Sequence, residues 1–217
     1  MLTLAEAKQR LSDRLGETSN VFWGEASRTA YINDAQRLIA SVTRGVPETV
    51  TGTLSPSARS LSLPTKLLNA HPVAGHVVGG RALNVVPLHM ANATTPDWRT
   101  REGKSPEWFV LDLSNKLAYS YPTPKIGTQV SFTVAVLPDD ISNDTPSQKL
   151  FNGAEIMERY QNPLLHLAAC YALLKERYDQ DAERYFQFFV QEMQTLGVNP
   201  NEIPTFQEVR VNAQLEN

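Results

Sequence analysis

Hydrophobic positions follow two different periods along the chain, and the change of period divides the chain into segments. Apolar residues recur every three or four positions before residue 48 and again after residue 139, which is the spacing of amphipathic helices. Between these stretches apolar and polar residues alternate, and turn-forming residues interrupt them, which is typical of β-strands. The pattern therefore predicts an α+β protein in which a β-rich segment is inserted between two pairs of helices.

The N-terminal segment predicts two helices. Thr3 and Glu6 have the spacing of a capping box, and apolar residues recur at helical intervals from Leu4 to Leu15. A second helix is predicted over residues 22–45, where glycine and then proline end the pattern. Its polar residues are expected to face away from the core: Asn33, Asp34, Gln36 and Arg37.

The middle segment predicts an antiparallel sheet. Candidate strands cover 48–54, 58–64, 76–78, 81–86, 108–113, 117–121 and 130–136. Gly79-Gly80 predicts a tight hairpin, because two-residue turns need positive φ angles. Residues 87–106 are expected to form a long irregular loop. The core of this sandwich-like or barrel-like domain is expected to contain Trp108, Phe132 and Val134.

The C-terminal part predicts a helical hairpin followed by an arm. Residues 164–178 are apolar almost all round, so we expect a central buried helix there, and a partner helix with one apolar stripe runs to Leu196. Residues 198–217 have no closing hydrophobic cluster, because Phe206 and Val209 stand among polar residues. This predicts an extended arm that becomes ordered on a neighbouring chain.

These elements predict four segments along the chain. They are core helices over 1–47, an inserted β domain over 48–138, a second helix pair over 139–197 and an extended C-terminal arm over 198–217. We expect the two helix pairs to pack into a core that resembles a four-helix bundle, with the β domain projecting from it.

The charge and the cysteine content reduce the number of functional classes to which the protein could belong. The chain has 20 Lys and Arg residues against 23 Asp and Glu residues, a net charge of −3, which argues against a protein that grips DNA by neutralising phosphates. The single cysteine, Cys170, lies in an apolar run and is expected to be a buried structural thiol. Since a single cysteine permits no disulfide within the chain, we expect synthesis in the cytoplasm. The N-terminus lacks the pattern of a signal peptide, and the apolar run 164–174 is too short to cross a membrane.

No arrangement of residues in the sequence indicates catalysis or a cofactor. Nucleophile elbows, phosphate-binding loops, dinucleotide fingerprints and zinc spacings are missing from it. The adjacent carboxylates Asp139 and Asp140 stand in a loop-like stretch and are interpreted as part of a solvated connector. We therefore expect no catalytic, cofactor-binding or metal-binding residues, and in particular no metal site at the histidines: His71, His76, His89 and His166.

The loop around Trp98 and the strand after it contain the best candidates for contacts with a partner. Trp98, with Arg99 beside it, stands on a long polar loop, where it could stack on a ligand or fold back and anchor its own loop. Tyr119 and Tyr121 share one face of a strand, where they could stabilise cross-strand packing or form a contact surface.

The order of three segments resembles the head–tail adaptor, or connector, proteins of tailed bacteriophages. The segments are YINDAQRLIA at 31–40, PDWR at 96–99 followed by PEWFVLDLSNKLAYSYPTP, and LLHLAACYALLKERYDQDAERYFQFFVQEM at 164–193. The resemblance covers about residues 3–196. It implies a non-enzymatic virion protein at the head–tail junction that is synthesised in the host cytoplasm.

The resemblance also implies partners. A homo-oligomeric ring of about twelve copies is expected beneath the portal protein, where it extends the DNA channel for genome ejection and provides the surface to which tail, tail-tube or nozzle proteins attach. Double-stranded DNA passes through the lumen without sequence-specific binding, and the acidic net charge suits such passage. In this family the C-terminal segment often reaches the portal, so the expected portal-binding residues are Ile203, Phe206, Val209, Arg210, Val211 and Leu215.

Two further sets of contact residues are predicted. Opposite charges on the second helix and at the junction of the last two helices are expected to pair between neighbouring copies, unless they are ordinary solvated faces: Arg28, Arg37, Arg44, Glu176, Asp179 and Glu183. Contacts with other neck or tail proteins are expected at Trp98, Arg99, Tyr119 and Tyr121.

Two alternatives stay open at this point. One is another neck or tail component, such as a stopper that closes the channel or a protein that faces the tail tube. The other is a carbohydrate-binding module that uses the β domain and the ring of Trp98.

Overall fold

The computed structural model describes residues 1–17, 22–68, 74–77 and 82–215. Within them the α-helices, in chain order, are α1 (Leu4–Leu15), α2 (Glu25–Val42), α3 (Leu88–Thr94), α4 (Gln161–Lys175), α5 (Asp179–Thr195) and α6 (Phe206–Leu215). The strands are β1 (Val46–Leu54), β2 (Ser60–Ser62), β3 (Ala74–Val77), β4 (Ala82–Pro87), β5 (Glu102–Gly103), β6 (Trp108–Asp112), β7 (Leu117–Tyr121), β8 (Thr123–Pro124) and β9 (Thr128–Val136). The mixture of helices and sheets confirms the predicted α+β class.

The chain divides into two compact units. The helical unit consists of Met1–Val46 together with Pro138–Asn217, and the β unit consists of Pro47–Leu137. The β unit is therefore continuous in sequence, whereas the helical unit is built from both ends of the chain.

Helix α1 begins as its sequence predicts. The hydroxyl of Thr3 accepts a hydrogen bond from the amide of Glu6 at 3.3 Å, and the Glu6 carboxylate accepts one from the amide of Thr3 at 2.8 Å. This reciprocal pair satisfies two of the amide groups that a helix start leaves without partners. The helix ends at Gly16, whose φ of 68° lies in the left-handed region that favours glycine.

Helix α4 forms the centre of the helical unit. Its side chains are buried almost all round, including Leu164, Leu167 and Ala168, each with 0% of its surface exposed. It contacts α1, α2, α5 and α6. The predicted central buried helix is thereby confirmed, because an evenly apolar helix is stable in water only when other helices surround it.

The predicted orientation of two polar residues on α2 is wrong. Asn33 is 9% exposed and Gln36 is 1% exposed, so both side chains point into the unit. They face inward because they meet backbone groups there: Asn33 binds Ile141, and the side-chain oxygen of Gln36 accepts a hydrogen bond from the amide of Phe151 at 2.6 Å. The segment 139–152, interpreted from sequence as a solvated connector, is thus attached to α2 at two buried points.

The main sheet of the β unit is mixed rather than purely antiparallel, which corrects the prediction. The order of its strands is β1-β9-β3-β4-β6-β7-β2. Strands β4 and β6 run parallel, with Asn84 opposite Trp108 and Pro87 opposite Leu111. The stretch between them is long enough to cross over the sheet and return in the same direction, whereas a tight turn permits only antiparallel pairing.

The predicted irregular loop 87–106 contains a short helix, α3. Ala91 of this helix is fully buried in a cluster with Trp98, Val110 and Tyr121. Small and apolar residues at 88 and 91 face the sheet at helical spacing, so packing against the sheet stabilises a helix too short to be stable alone.

The turns agree with the sequence where they are described. Strands β6 and β7 pair antiparallel with Trp108 opposite Tyr121, as a hairpin through residues 113–116 requires. Gly79-Gly80 lies outside the described residues, but β3 and β4 on either side of it pair antiparallel. Of the predicted core residues, Val134 is buried and Trp108 is half-buried, and the side chain of Phe132 lies outside the described part.

Candidate assembly surfaces

The described residues contain no group of three or more His, Cys, Asp or Glu side chains that could hold a metal ion. His71 and the side chain of His76 lie outside the described part, and His89 is exposed. No helix in the described ranges has the length and apolar character that a membrane span needs.

His166 belongs to a polar cluster that ties three helices together. Arg14 of α1 places Nη1 2.7 Å from Nδ1 of His166, and the hydroxyl of Tyr185 of α5 donates to the backbone oxygen of Arg14 at 2.7 Å. Burial and the charge of Arg14 lower the pKa of His166 to about 4. The imidazole is therefore uncharged near neutral pH and joins α1, α4 and α5.

Cys170 is the buried thiol that the sequence predicts. None of its surface is exposed, and burial raises the pKa of the thiol to about 12. Because the thiolate is the reactive form, this cysteine does not react readily with oxidants or alkylating agents while the protein is folded.

The predicted extended C-terminal arm is wrong: the segment after Leu196 forms a 3₁₀ turn and then helix α6. Thr205 caps this helix, because its amide donates to the Glu208 carboxylate at 2.7 Å and its hydroxyl accepts from the Glu208 amide at 3.4 Å. Ile203 is 8% exposed and Val209 2% exposed. Ile203 and Val209 are thus covered within the helical unit, so they stabilise a folded conformation of this segment.

Helix α6 is attached by ring packing and ion pairs. The ring centroid of Phe206 lies 5.6 Å from that of Phe186 on α5. Arg210 forms an ion pair with Asp179 at 2.7 Å. Val211, with 52% of its surface exposed, points into solvent, and the side chain of Leu215 lies outside the described part. Of the predicted portal-binding residues, Val211 thus remains available for a partner.

Most of the charges predicted to pair between copies have partners within one chain. Arg28 is 3% exposed and donates to the hydroxyl of Ser12, so its side chain does not reach the surface of the chain. Arg37 binds Asp34 and Asp140.

The remaining predicted charges divide into paired and unpaired groups. Arg44 lies 3.8 Å from Glu202, and Asp179 is held by Arg210. Glu176 and Glu183 are exposed and form no ion pair with any other described residue. These two carboxylates are the members of the set that can still meet a neighbouring copy.

Trp98 anchors its own loop. It is 1% exposed, its indole N–H donates to the side-chain oxygen of Asn92 at 2.9 Å, and its ring meets Tyr119 edge-to-face at 5.3 Å. The interpretation that Trp98 folds back is confirmed, and within one copy its ring does not reach the surface where the predicted partner would bind. A carbohydrate site built on an exposed Trp98 ring is excluded for the same reason.

The other predicted contact residues of the β unit differ in exposure. Tyr121 is 6% exposed and its hydroxyl accepts a hydrogen bond from Arg101 at 2.8 Å, so it is also a core residue rather than a contact. Arg99 is exposed, with its guanidinium 5.0 Å from the centroid of the Trp98 ring. Arg99 and the half-buried Tyr119 are therefore the members of this set that reach the surface.

A strongly exposed apolar residue was missed by the sequence analysis. Ile126, in the loop between β8 and β9, has 80% of its surface exposed. The loop is held in place, because the amide of Thr123 donates to the oxygen of Arg101 at 3.0 Å and the amide of Lys125 donates to the oxygen of Gly103 at 2.9 Å. The sequence does contain a signal for this exposure, because the isoleucine stands between a lysine and a glycine in a proline-containing turn.

A groove of about 420 Å³ opens between α5 and α6. The apolar side chains that line it are Phe186, Val190 and Phe206, and the polar ones are Glu183, Gln187, Gln191 and Gln194. This groove was not predicted, because the segment that forms α6 was expected to be an extended arm.

Comparison with known proteins assigns a family. No curated protein matches the chain. The model of one protein family, described as SU10 adaptor protein, matches residues 2–210. The match spans both units and continues into α6, so it covers nearly the whole chain. The chain therefore belongs to the SU10 adaptor protein family, a family of structural adaptors of bacteriophage virions.

Proposed function

We propose that this adaptor forms a ring under the portal protein, extends the channel for DNA and presents the surface to which the tail attaches. The observation that carries the proposal is the family match over residues 2–210. A structural role also accords with the kind of surface the protein offers, namely an exposed apolar loop and an apolar groove.

The ring contains about twelve copies in this proposal, joined by contacts in which one surface of a copy meets a different surface of the next. The net charge of −3 per copy supports a channel through which DNA slides, because an acidic ring does not hold phosphates by ion pairing.

Helix α6 is the portal-facing element in this proposal, in helical rather than extended form. Val211 supports this role, since its apolar side chain is 52% exposed, whereas Val209 of the same helix is 2% exposed. A helix that lays an apolar side into a groove of a partner is a common mode of protein recognition. The helix keeps its internal contacts through Phe206 and Val209 while its outer side contacts the portal.

The test is binding of the purified chain to its cognate portal protein, measured by native mass spectrometry. We expect a ring of adaptor copies on the portal, and Val211→Asp to reduce their number while Ile156→Asp, at an isoleucine 58% exposed in the helical unit, leaves it unchanged. Deletion of residues 198–217 is a less specific test than Val211→Asp. It also removes Phe206 and thereby exposes Phe186, the residue of α5 on which Phe206 packs.

The same experiment separates an adaptor from a stopper. A stopper binds beneath an existing adaptor ring and not to the portal itself. A chain that forms no complex with the portal but binds a preformed portal–adaptor assembly would contradict the proposed role.

A further inference from the structure

Ile126 stands on a loop whose backbone is held by hydrogen bonds and packing on both sides of its tip. Strand β8 before it pairs with β5, and the side chain of Pro122 occupies the space beside Gly103, where a Cβ atom would lie 2.3 Å from the proline ring. The backbone bond from Lys125 to Gly103 fixes the other side of the loop tip. A loop whose backbone is already held in place loses little conformational entropy when a partner covers its apolar side chain.

The groove between α5 and α6 has the size and lining that suit such a side chain. Its volume of about 420 Å³ lies within the range of ligand pockets, roughly 300–1,000 Å³. The aromatic rings of Phe186 and Phe206 and the branched side chain of Val190 form its apolar surface. Glutamines at the rim offer polar groups that can bind the backbone of an entering loop.

The charges around the two features are opposite. Lys125 precedes Ile126 and Lys104 follows Gly103, and both are exposed and form no ion pair with another described residue. Glu183 lines the groove and likewise has no ion-pair partner in the described part of the chain. Complementary charges at the edge of an apolar contact select the partner and fix the register.

We propose that Ile126 of one copy inserts into the α5–α6 groove of a neighbouring copy, with Lys125 beside Glu183 of that neighbour. The inference rests on the proposed ring and identifies the surfaces that join its subunits. The loop and the groove belong to different parts of the chain, so the contact is heterologous, and repetition of such a contact closes into a ring when the rotation between copies permits.

The experiment uses two single-site variants of the full chain, Ile126→Cys and Val190→Cys, assembled together on the portal and then oxidised. We expect a disulfide-linked dimer from the mixture and none from either variant alone. The native Cys170 does not interfere, because it is fully buried and its pKa is raised to about 12. A mixture of Ile156→Cys and Val190→Cys is the matched control, since Ile156 is another exposed isoleucine.

Two results would overturn the inference. One is an intact ring, counted by mass, in which the Ile126→Cys and Val190→Cys mixture cross-links no more than the control mixture; the proposed function then stands and the contact is wrong. The other is a dimer from Ile126→Cys alone, which indicates a symmetric contact between two loops. Failure to form any ring overturns both proposals.

Charge reversal gives an independent test. Lys125→Glu and Glu183→Lys are each expected to weaken ring formation by about two- to fivefold, the effect of an exposed ion pair, and the two together to restore it. Lys66→Glu serves as a control outside the loop. No restoration in the double variant, with both single variants still folded, contradicts the pairing of Lys125 with Glu183.

Discussion

The side-chain amide of Asn33 exchanges two hydrogen bonds with the backbone of Ile141. Its nitrogen donates to the Ile141 oxygen at 3.0 Å, and its oxygen accepts from the Ile141 amide at 3.1 Å. Asparagine carries a donor and an acceptor on one planar group, so it can pair with a buried residue as another backbone segment would. Through this pair α2 fixes the position of the chain that returns from the β unit to the helical unit.

We predict that Asn33→Ala destabilises the protein by about 2–4 kcal/mol, because it leaves two buried backbone groups of Ile141 without partners. Urea unfolding followed by circular dichroism measures the change. Ser41→Ala, at an exposed position of the same helix, is expected to stay within about 0.5 kcal/mol of the wild type. Equal stability of the two variants would show that the Asn33 pair contributes nothing.

His166 makes the stability depend on pH in the acidic range. Its pKa is lowered from 6.5 in an unfolded chain to about 4 in the folded protein. Between these values the unfolded chain binds more protons than the folded one, so stability falls as the pH decreases from 6.5 towards 4. The slope from this residue is at most about 1.4 kcal/mol per pH unit.

His166→Gln is expected to flatten the pH dependence of unfolding between pH 4 and 6.5, and the exposed His89→Gln is not. Chemical denaturation at several pH values in this range compares the three proteins. If His166→Gln and the wild type lose stability in parallel, the lowered pKa of His166 is not a source of the acid sensitivity.

The packing of Phe206, rather than its ion pair, is predicted to hold α6 in place. Arg210 and Asp179 are 37% and 42% exposed, and exposed pairs contribute about 0.2–1 kcal/mol. We therefore expect Arg210→Gln to raise hydrogen exchange in α6 by less than about fivefold and Phe206→Ala by about tenfold or more. A larger effect from Arg210→Gln than from Phe206→Ala would reverse this order.

Trp98 is predicted to be the largest single contributor to the core of the β unit. Trp98→Ala removes a side chain that is 1% exposed and should cost about 3–5 kcal/mol. Trp98→Phe keeps most of the apolar volume and should cost less, since it mainly loses the bond to Asn92. Thermal unfolding followed by circular dichroism measures both, with the exposed Arg99→Gln as the control. Wild-type stability of Trp98→Ala would contradict its burial in the core.

Local signals in the sequence were sufficient for several elements. The spacing of Thr3 and Glu6 predicts the start of α1, and the unbroken apolar run 164–174 predicts that α4 is central, because both depend on residues close together in the chain. Thr205 and Glu208 have the same capping spacing as Thr3 and Glu6 and could have predicted α6. The polar residues around Phe206 and Val209 favoured an extended arm instead.

The order of three short segments was sufficient to predict the family. Part of their physical role became visible only in the fold. In YINDAQR, Asn33 and Gln36 bind backbone groups of Ile141 and Phe151, more than 100 residues away in the sequence. A pattern read along one helix shows which residues are polar, but it does not show whether their partners are water or a distant backbone.

The sequence by itself determined the class of the fold, the positions of the long helices and the family, since these depend on periodicity and on the order of local motifs. Tertiary structure decided which strands pair in parallel, that α6 folds back, that Trp98 is buried and that Ile126 is exposed. The physical reason is that burial and pairing depend on contacts between residues far apart in the chain, and hydrophobicity at one position does not specify which distant residue will cover it.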